Sequence, residues 1–267
     1  IGIAVIRSMT TTQITFTITS ASNNGVTNSL TWQDIRVRPT AGTPLASGNI
    51  TKAGGSGTSA MAGVVDGATN FGTLTEVAGA ASKLIVTLPG QTFTSGTGNS
   101  GTPTAQTAGA SFTISSITAT DQFSNTVTTY SGAKTISYTG PAGSPSYTTS
   151  VSFTNGQSTT SLATTLTRAE ATTITASETS PGTLAGVASS SLTVNPGAVA
   201  KLVVTLPGQT FSSGTGNSGT PSAQTAGTPF NINSITATDQ YFNTVTSYSG
   251  AKTISYTGPG GTPSYTT

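Results

Sequence analysis

The side chains able to do chemistry in this 267-residue chain are few and narrow in type. Seven carboxylates (Asp34, Asp66, Glu76, Asp121, Glu170, Glu178 and Asp239) stand beside nine Lys and Arg, with no His and no Cys. Imidazole proton transfer, thiol nucleophiles and ordinary zinc sites are thereby removed. Paired-carboxylate hydrolysis needs two acids flanking a substrate cleft, and these acids fall at strand and turn positions with no aromatic cleft nearby. The expectation is a protein that is not an enzyme. One spacing does recur: Asp121 and Asn125 bound the turn DQFSN, and Asp239 and Asn243 bound DQYFN. Such a pair serves an Asx-type turn, its side-chain oxygens accepting from local backbone N–H groups, or it ligates calcium, which takes about 6–8 oxygens. One carboxylate per turn favours the turn over the metal, and Asp121, Asn125, Asp239 and Asn243 are kept as the calcium candidates.

Other reactive patterns are weaker. Lys83 and Asn195 fall on the first and last expected strands of one module, as partners of an isopeptide bond would. Alternation places Lys83 opposite the inward-facing Leu84, away from the buried setting that reaction needs. The run SGTGNSG is rich in glycine but lacks the GK[ST] ending and following helix of a phosphate cradle. An exposed aromatic platform for sugar would have to come from Trp32, Tyr147 and Tyr265. Asn49-Ile50-Thr51 is the one N-glycosylation triplet.

The elements that position these residues are strands. The chain holds 59 Thr and 36 Ser but only 6% charged residues, so its polarity comes from hydroxyls. Abundant Thr, Val and Ile favour pleated sheet over disorder. A net charge of +2 is too thin for nucleic acid, which draws on clustered Lys and Arg. Arg36 and Arg38 in DIRVRP share one strand face and read as a solvated pair. No apolar run reaches the length of a membrane helix. The chain opens on Ile1, which is read as a processed or partial sequence.

A repeat organises the rest. Residues 83–149 match residues 201–267 without a gap at an offset of 118, with 12 differences in 67 positions. The polar stretch Gly90–Gly109 therefore returns as Gly208–Gly227 because the whole module returns. Its length suggests a surface loop with a role in inter-module or inter-subunit contact, ahead of an unstructured loop or glycan recognition. Period-2 alternation gives strands at KLIVTL (Leu84, Val86, Leu88), SFTISSITAT (Phe112, Ile114, Ile117, Ala119), TVTTY (Val127), KTISYT (Ile136, Tyr138) and SVSFT (Val151, Phe153). After an Asn155-Gly156 hairpin turn come strands carrying Leu162, Leu166, Ile174, Leu192 and Val194. The parity slip between Ile114 and Ile117 suggests a β-bulge at Ser115 or Ser116. The reading is all-β, an antiparallel sandwich repeated in tandem: a β module over 1–80 that is incomplete at its start, repeat 1 over 81–196, and repeat 2 over 197–267. Repeat 2 has no counterpart of Ser150–Asn195 within these residues. The expectation is that the polypeptide continues or that another chain adds the strands. In the N-terminal module, QITFTITS, LTWQDIRVRP and NFGTLTEVAG read as strands.

The frame Ala226-Gly227, Phe230, Ala237-Thr238-Asp239, Asn243, Val245, Tyr248 and Gly250 recurs in repeat 1 as Ala108-Gly109, Phe112, Asp121, Asn125, Val127, Tyr130 and Gly132. It resembles the bacterial immunoglobulin-like repeats of large surface adhesins of the invasin and intimin type, over about residues 80–267. The resemblance implies immunoglobulin-like modules in an exported protein at the cell surface. Their role would be a stalk or shaft, and their partners neighbouring modules of the same or identical chains. A filament subunit completed by strand exchange between copies and a module binding host or environmental glycans are the alternatives. The family usually carries Gly before the Asn of the turn, where this chain has Ser124 and Phe242, so the turn is expected to differ locally.

Overall fold

The computed structural model describes residues 4–9, 14–18, 45–54, 63–258 and 260–266 of the chain. It separates into two units, Ile1–Thr40 and Ala41–Thr267. The expected strand LTWQDIRVRP, with Trp32, Asp34, Arg36 and Arg38, lies outside the described residues. In the first unit β1 (Ala4–Met9) pairs antiparallel with β2 (Ile14–Ile18), Ile6 opposite Phe16, so the ITFTI part of the expected strand QITFTITS is a strand.

The second unit begins with an antiparallel ribbon of β3 (Ser47–Thr51) and β4 (Asn70–Thr75). Repeat 1 follows with β5 (Lys83–Thr87), β6 (Thr92–Thr94), β7 (Gly98–Ser100), β8 (Gln106–Thr107), β9 (Ser111–Ile114), β10 (Ser116–Thr120) and β11 (Gly132–Thr139). It continues with β12 (Ser146–Tyr147), β13 (Ser150–Thr154), β14 (Gln157–Ser158), β15 (Leu162–Thr165), β16 (Ala171–Thr172), β17 (Thr175–Ser180) and β18 (Leu192–Asn195). Repeat 2 contributes β19 (Lys201–Thr205), β20 (Thr210–Ser212), β21 (Gly216–Ser218) and β22 (Ser234–Thr238). The described residues contain strands and no helix.

One sheet of repeat 1 has the order β17-β11-β13-β14-β10-β5, and two three-stranded sheets run β12-β15-β9 and β16-β18-β8. All their pairings are antiparallel except β18 with β8. The six-stranded sheet curls until its edges nearly meet: Leu84 N–H donates to Ala185 C=O at 3.0 Å, and Val187 N–H donates to Leu84 C=O at 3.1 Å. Between the sheets lies a core of Leu84, Val86, Leu88, Ile114, Ile117, Ile136, Val151, Phe153, Leu162, Leu166, Ile174, Leu192 and Val194, all at most 3% exposed. These are the inward residues that alternation picks out, and each contributes about 1.5–3 kcal/mol relative to exposure.

Three local expectations need correction or completion. The parity slip at Ser115 is not a bulge in one ladder: β9 pairs with β15, while β10 pairs with β5 and β14, so the chain crosses between sheets at that residue. A strand that changes sheet can present both Ile114 and Ile117 to one core. TVTTY forms no strand; it makes one bridge, Thr120 with Thr126, and Tyr130 N–H turns back onto Val127 C=O at 3.0 Å. Val127 is nevertheless buried, because Val127 N–H bonds to Ala119 C=O at 3.0 Å and carries the side chain inward. The Asn155-Gly156 turn, with φ of 49° and 81°, joins β13 to β14 as expected.

Repeat 2 supplies an internal control. The octapeptide GAKTISYT forms β11 in repeat 1, between β13 and β17, yet its identical copy at 250–257 joins no ladder. Leu84 and Val86 are fully buried, whereas their counterparts Leu202 and Val204 are 41% and 38% exposed. Leu84→Ala should therefore cost about 2–5 kcal/mol and Leu202→Ala under about 1 kcal/mol. Hydrogen exchange localised to each repeat, together with urea unfolding of the full chain, checks this asymmetry.

Candidate functional site

The two Asp-Asn turns are built alike. Asp121 Oδ1 accepts from Phe123 N–H and Asn125 N–H, both at 2.9 Å, and Oδ2 accepts from Gly79 N–H and Asn125 Nδ2, both at 3.0 Å. Asp239 repeats the set with Tyr241 N–H (2.9 Å), Asn243 N–H (3.0 Å), Gly197 N–H (2.9 Å) and Asn243 Nδ2 (2.8 Å). Both carboxylates are buried. Each of these partners is an N–H donor, so the oxygens serve the Asx-type turn and a cation would have to displace those donors. At Asp121 burial acts to raise the pKa. The Asn125 amide and the N–H groups of Gly79, Asn125 and Phe123 outweigh it and hold the carboxyl below its ordinary 3.8. Ser124 and Phe242 take φ of 68° and 65°, the left-handed conformation that glycine adopts freely and an aromatic residue rarely does. Phe242 is held there by Lys201 Nζ, 3.9 Å from the ring centroid, and by a C=O that accepts from Gly214 N–H at 2.9 Å.

These turns also hold the stretches that lead into each repeat. Gly79 and Gly197 belong to the linkers leading into repeats 1 and 2, and each is caught by the Asp of the module it enters. At the second junction the contact extends into repeat 1. Asn243 Nδ2 donates to Thr167 C=O at 2.8 Å, and Asn243 Oδ1 accepts from Ala169 N–H at 2.8 Å. Tyr241 lies on Gly109 so closely that a Cβ there would stand 2.5 Å from its ring, and it packs against the core of repeat 1. Gly109, with φ of 81°, therefore satisfies both a left-handed turn and a close approach.

The stretch Gly90–Gly109 is a folded part of its own module. β6 and β7 form a hairpin whose Asn99 donates to Val86 C=O at 2.8 Å, while Gln91 bonds Leu88 N–H and the Ser190 hydroxyl. Its copy also reaches the neighbour, because a Cβ on Gly214 would stand 3.1 Å from Arg168 Cγ of repeat 1.

One cluster went unanticipated. Glu178 is 6% exposed; Tyr130 hydroxyl donates to its Oε2 at 3.0 Å, Gly182 N–H donates to Oε1 at 3.0 Å, and Lys134 Nζ lies 3.5 Å from Oε1. Lys134 also stands over the Tyr130 ring, 4.7 Å from its centroid. Burial acts to raise the Glu178 pKa. The Gly182 N–H, the Tyr130 hydroxyl and the Lys134 charge outweigh it, leaving the carboxyl below its ordinary 4.5. The same setting pushes the Tyr130 hydroxyl up. The signal was present in ITASE: alternation puts Glu178 on the inward face with Ile174 and Ala176, and a carboxylate facing a core requires partners.

The remaining sites are dispersed. Tyr147 stacks on Tyr138 with centroids 4.3 Å apart and is half-buried, and Tyr265 stacks on Tyr256 at the same distance. Trp32 lies outside the described residues. Lys83 Nζ donates to Gln122 C=O at 3.2 Å, and Asn195 is exposed on β18. Among the described residues no three acidic side chains gather as a metal site would require, and no helix is long and apolar enough to cross a membrane. Comparisons with protein-family models, with curated proteins and with solved structures find no match for this chain.

Asn243→Ala removes two bonds to the backbone of repeat 1 and should cost about 1–3 kcal/mol. Hydrogen exchange should quicken at residues 167–169 while the Val151 and Phe153 strand keeps its protection. Glu178→Gln should cost a similar amount at pH 7. Because the folded pKa of Glu178 is depressed, its contribution is complete above the unfolded value and is lost as pH falls below 4.5 through the folded value. The stability gap between wild type and Glu178→Gln in urea titrations should therefore narrow from pH 7 to about pH 3.

Proposed function

We propose that the chain is a length of a stalk or shaft at a bacterial cell surface, a series of immunoglobulin-like sandwich modules whose task is reach and mechanical strength. The observation that carries the reading is the recurring junction: Gly79 on Asp121 and Gly197 on Asp239, bonded the same way at the same offset of 118. A linker clamped by the turn of the module it enters limits bending between neighbours. The contacts of Asn243 with Thr167 and Ala169 limit it further. The side-chain inventory supports the same reading, since seven carboxylates without His or Cys suit a scaffold better than a reaction centre. Partners, in this reading, are the preceding and following modules, and the location is extracellular.

The function requires a spacing that outside conditions do not alter. Three ion pairs occur among the described residues, and the junction itself uses neutral and backbone hydrogen bonds with one buried carboxylate. Small-angle scattering of the full chain should give the same maximum dimension from about 0.05 to about 1 M salt, over which the screening length falls to about 3 Å. A salt-dependent collapse would overturn the stalk reading.

A further inference from the structure

Asn155-Gly156, the turn between β13 and β14, is the one Asn-Gly pair among the described residues. Such a pair carries its own reaction. The Gly156 nitrogen, after giving its proton to hydroxide, attacks Asn155 Cγ. The new N–Cγ bond closes a five-membered succinimide, the Cγ–Nδ2 bond breaks, and the amide leaves as ammonia with a proton from water. Water then opens the ring at either carbonyl, giving aspartate or an isoaspartate whose main chain runs through Cβ and Cγ. Glycine admits the ring because it brings no side chain to crowd it.

The fold blocks the first step. Asn155 is exposed, but Gly156 is buried; its N–H donates to Tyr130 C=O at 2.9 Å and its C=O accepts from Ala119 N–H at 2.8 Å. A Cβ on Gly156 would stand 2.7 Å from the Val127 carbonyl oxygen, so main chain also closes over this residue. A proton held in a buried hydrogen bond reaches solvent base only when the structure around it opens. Hydrogen exchange at Gly156 and cyclisation of Asn155 therefore share one gate.

The turn also discriminates between the products. Phe153 faces Ser158 and Thr154 faces Gln157, with only Asn155 and Gly156 between, at φ of 49° and 81°. Isoaspartate adds one carbon to that main chain. The added atom must pull Gly156 away from Tyr130 and Ala119, or shift β14 off the register in which Ser158 Oγ accepts from Ile117 N–H at 2.9 Å. Aspartate leaves the main chain unchanged, lies exposed, and tolerates the left-handed conformation as asparagine does.

We propose that Asn155 is a self-modification site gated by the opening of repeat 1, with water as its co-reactant. The closed repeat keeps the asparagine; the opened repeat converts it, and the isoaspartate form does not close again. The site needs repeat 1 alone and stands apart from the stalk reading.

The test holds the full chain in mildly alkaline buffer, with and without urea above its unfolding transition, beside a synthetic peptide of residues 150–160 in both solutions. Tryptic mapping follows the fragment 135–168, in which Asn155 is the one asparagine, by mass and by chromatographic separation of aspartate from isoaspartate. Conversion in the folded chain should be at least about tenfold slower than in the peptide, and in urea the two rates should agree, because reaction through an open form tracks its population. After urea is removed, size exclusion should find asparagine and aspartate in the refolded chains and isoaspartate in those left open. Asn155→Asp should fold with a urea midpoint close to that of the wild type. Conversion of the folded chain at the peptide rate would overturn the proposal, as would isoaspartate shared equally between refolded and open chains. So would an Asn155→Asp chain that fails to fold, since charge and not the added carbon would then exclude the product.

Discussion

The ladder between β11 and its two neighbours is the interaction on which the rest of repeat 1 depends. A strand's N–H and C=O groups need partners on both edges when it lies inside a sheet, and β11 finds them in β13 and β17. Those two strands bring Val151, Phe153 and Ala176 over the core, and β17 also brings Glu178 to Tyr130 and Lys134. Ladder, core and polar cluster are one cooperative arrangement. The identical octapeptide in repeat 2 has the same propensity and the same alternation and makes no ladder, so tertiary pairing, not local preference, decides whether it is a strand.

Polar groups inside this fold are satisfied chiefly by backbone. Asp121 and Asp239 are each surrounded by N–H donors, and Asn99 and Asn217 each donate to a strand carbonyl, Val86 and Val204. A chain with 6% charged residues has little else to use. Its exception, Glu178 with Lys134, is compensated by a hydroxyl and a backbone N–H as well as the opposite charge, the condition under which a buried ion pair is tolerated.

Much of this was legible in the residues. Strict alternation in KLIVTL and SVSFT marks both strand and core, because a period of two admits one inward face, and Asn155-Gly156 names its turn through its φ requirement. TVTTY was misread because β-branched residues score well anywhere, whereas here the Asx turn before and the Val127–Tyr130 turn after leave no room for a ladder. The sheet change at Ser115 was visible as a parity slip, but alternation records which side a residue faces and not which strand lies beside it. The left-handed Phe242 was hidden for a different reason: its strain is held by Lys201 and Gly214, partners distant in sequence. The Asn243 contacts with Thr167 and Ala169 have no local signal at all, since the groups they meet are main chain.

The Asn243 contact constrains the backbone that it meets and not the side chains there. Asn243 recognises a carbonyl and an amide, groups that every residue other than proline at the amide position possesses. The receiving loop is read by its path and not by its side chains. A preceding repeat that keeps this backbone path would meet Asn243 in the same way, whatever side chains it carries.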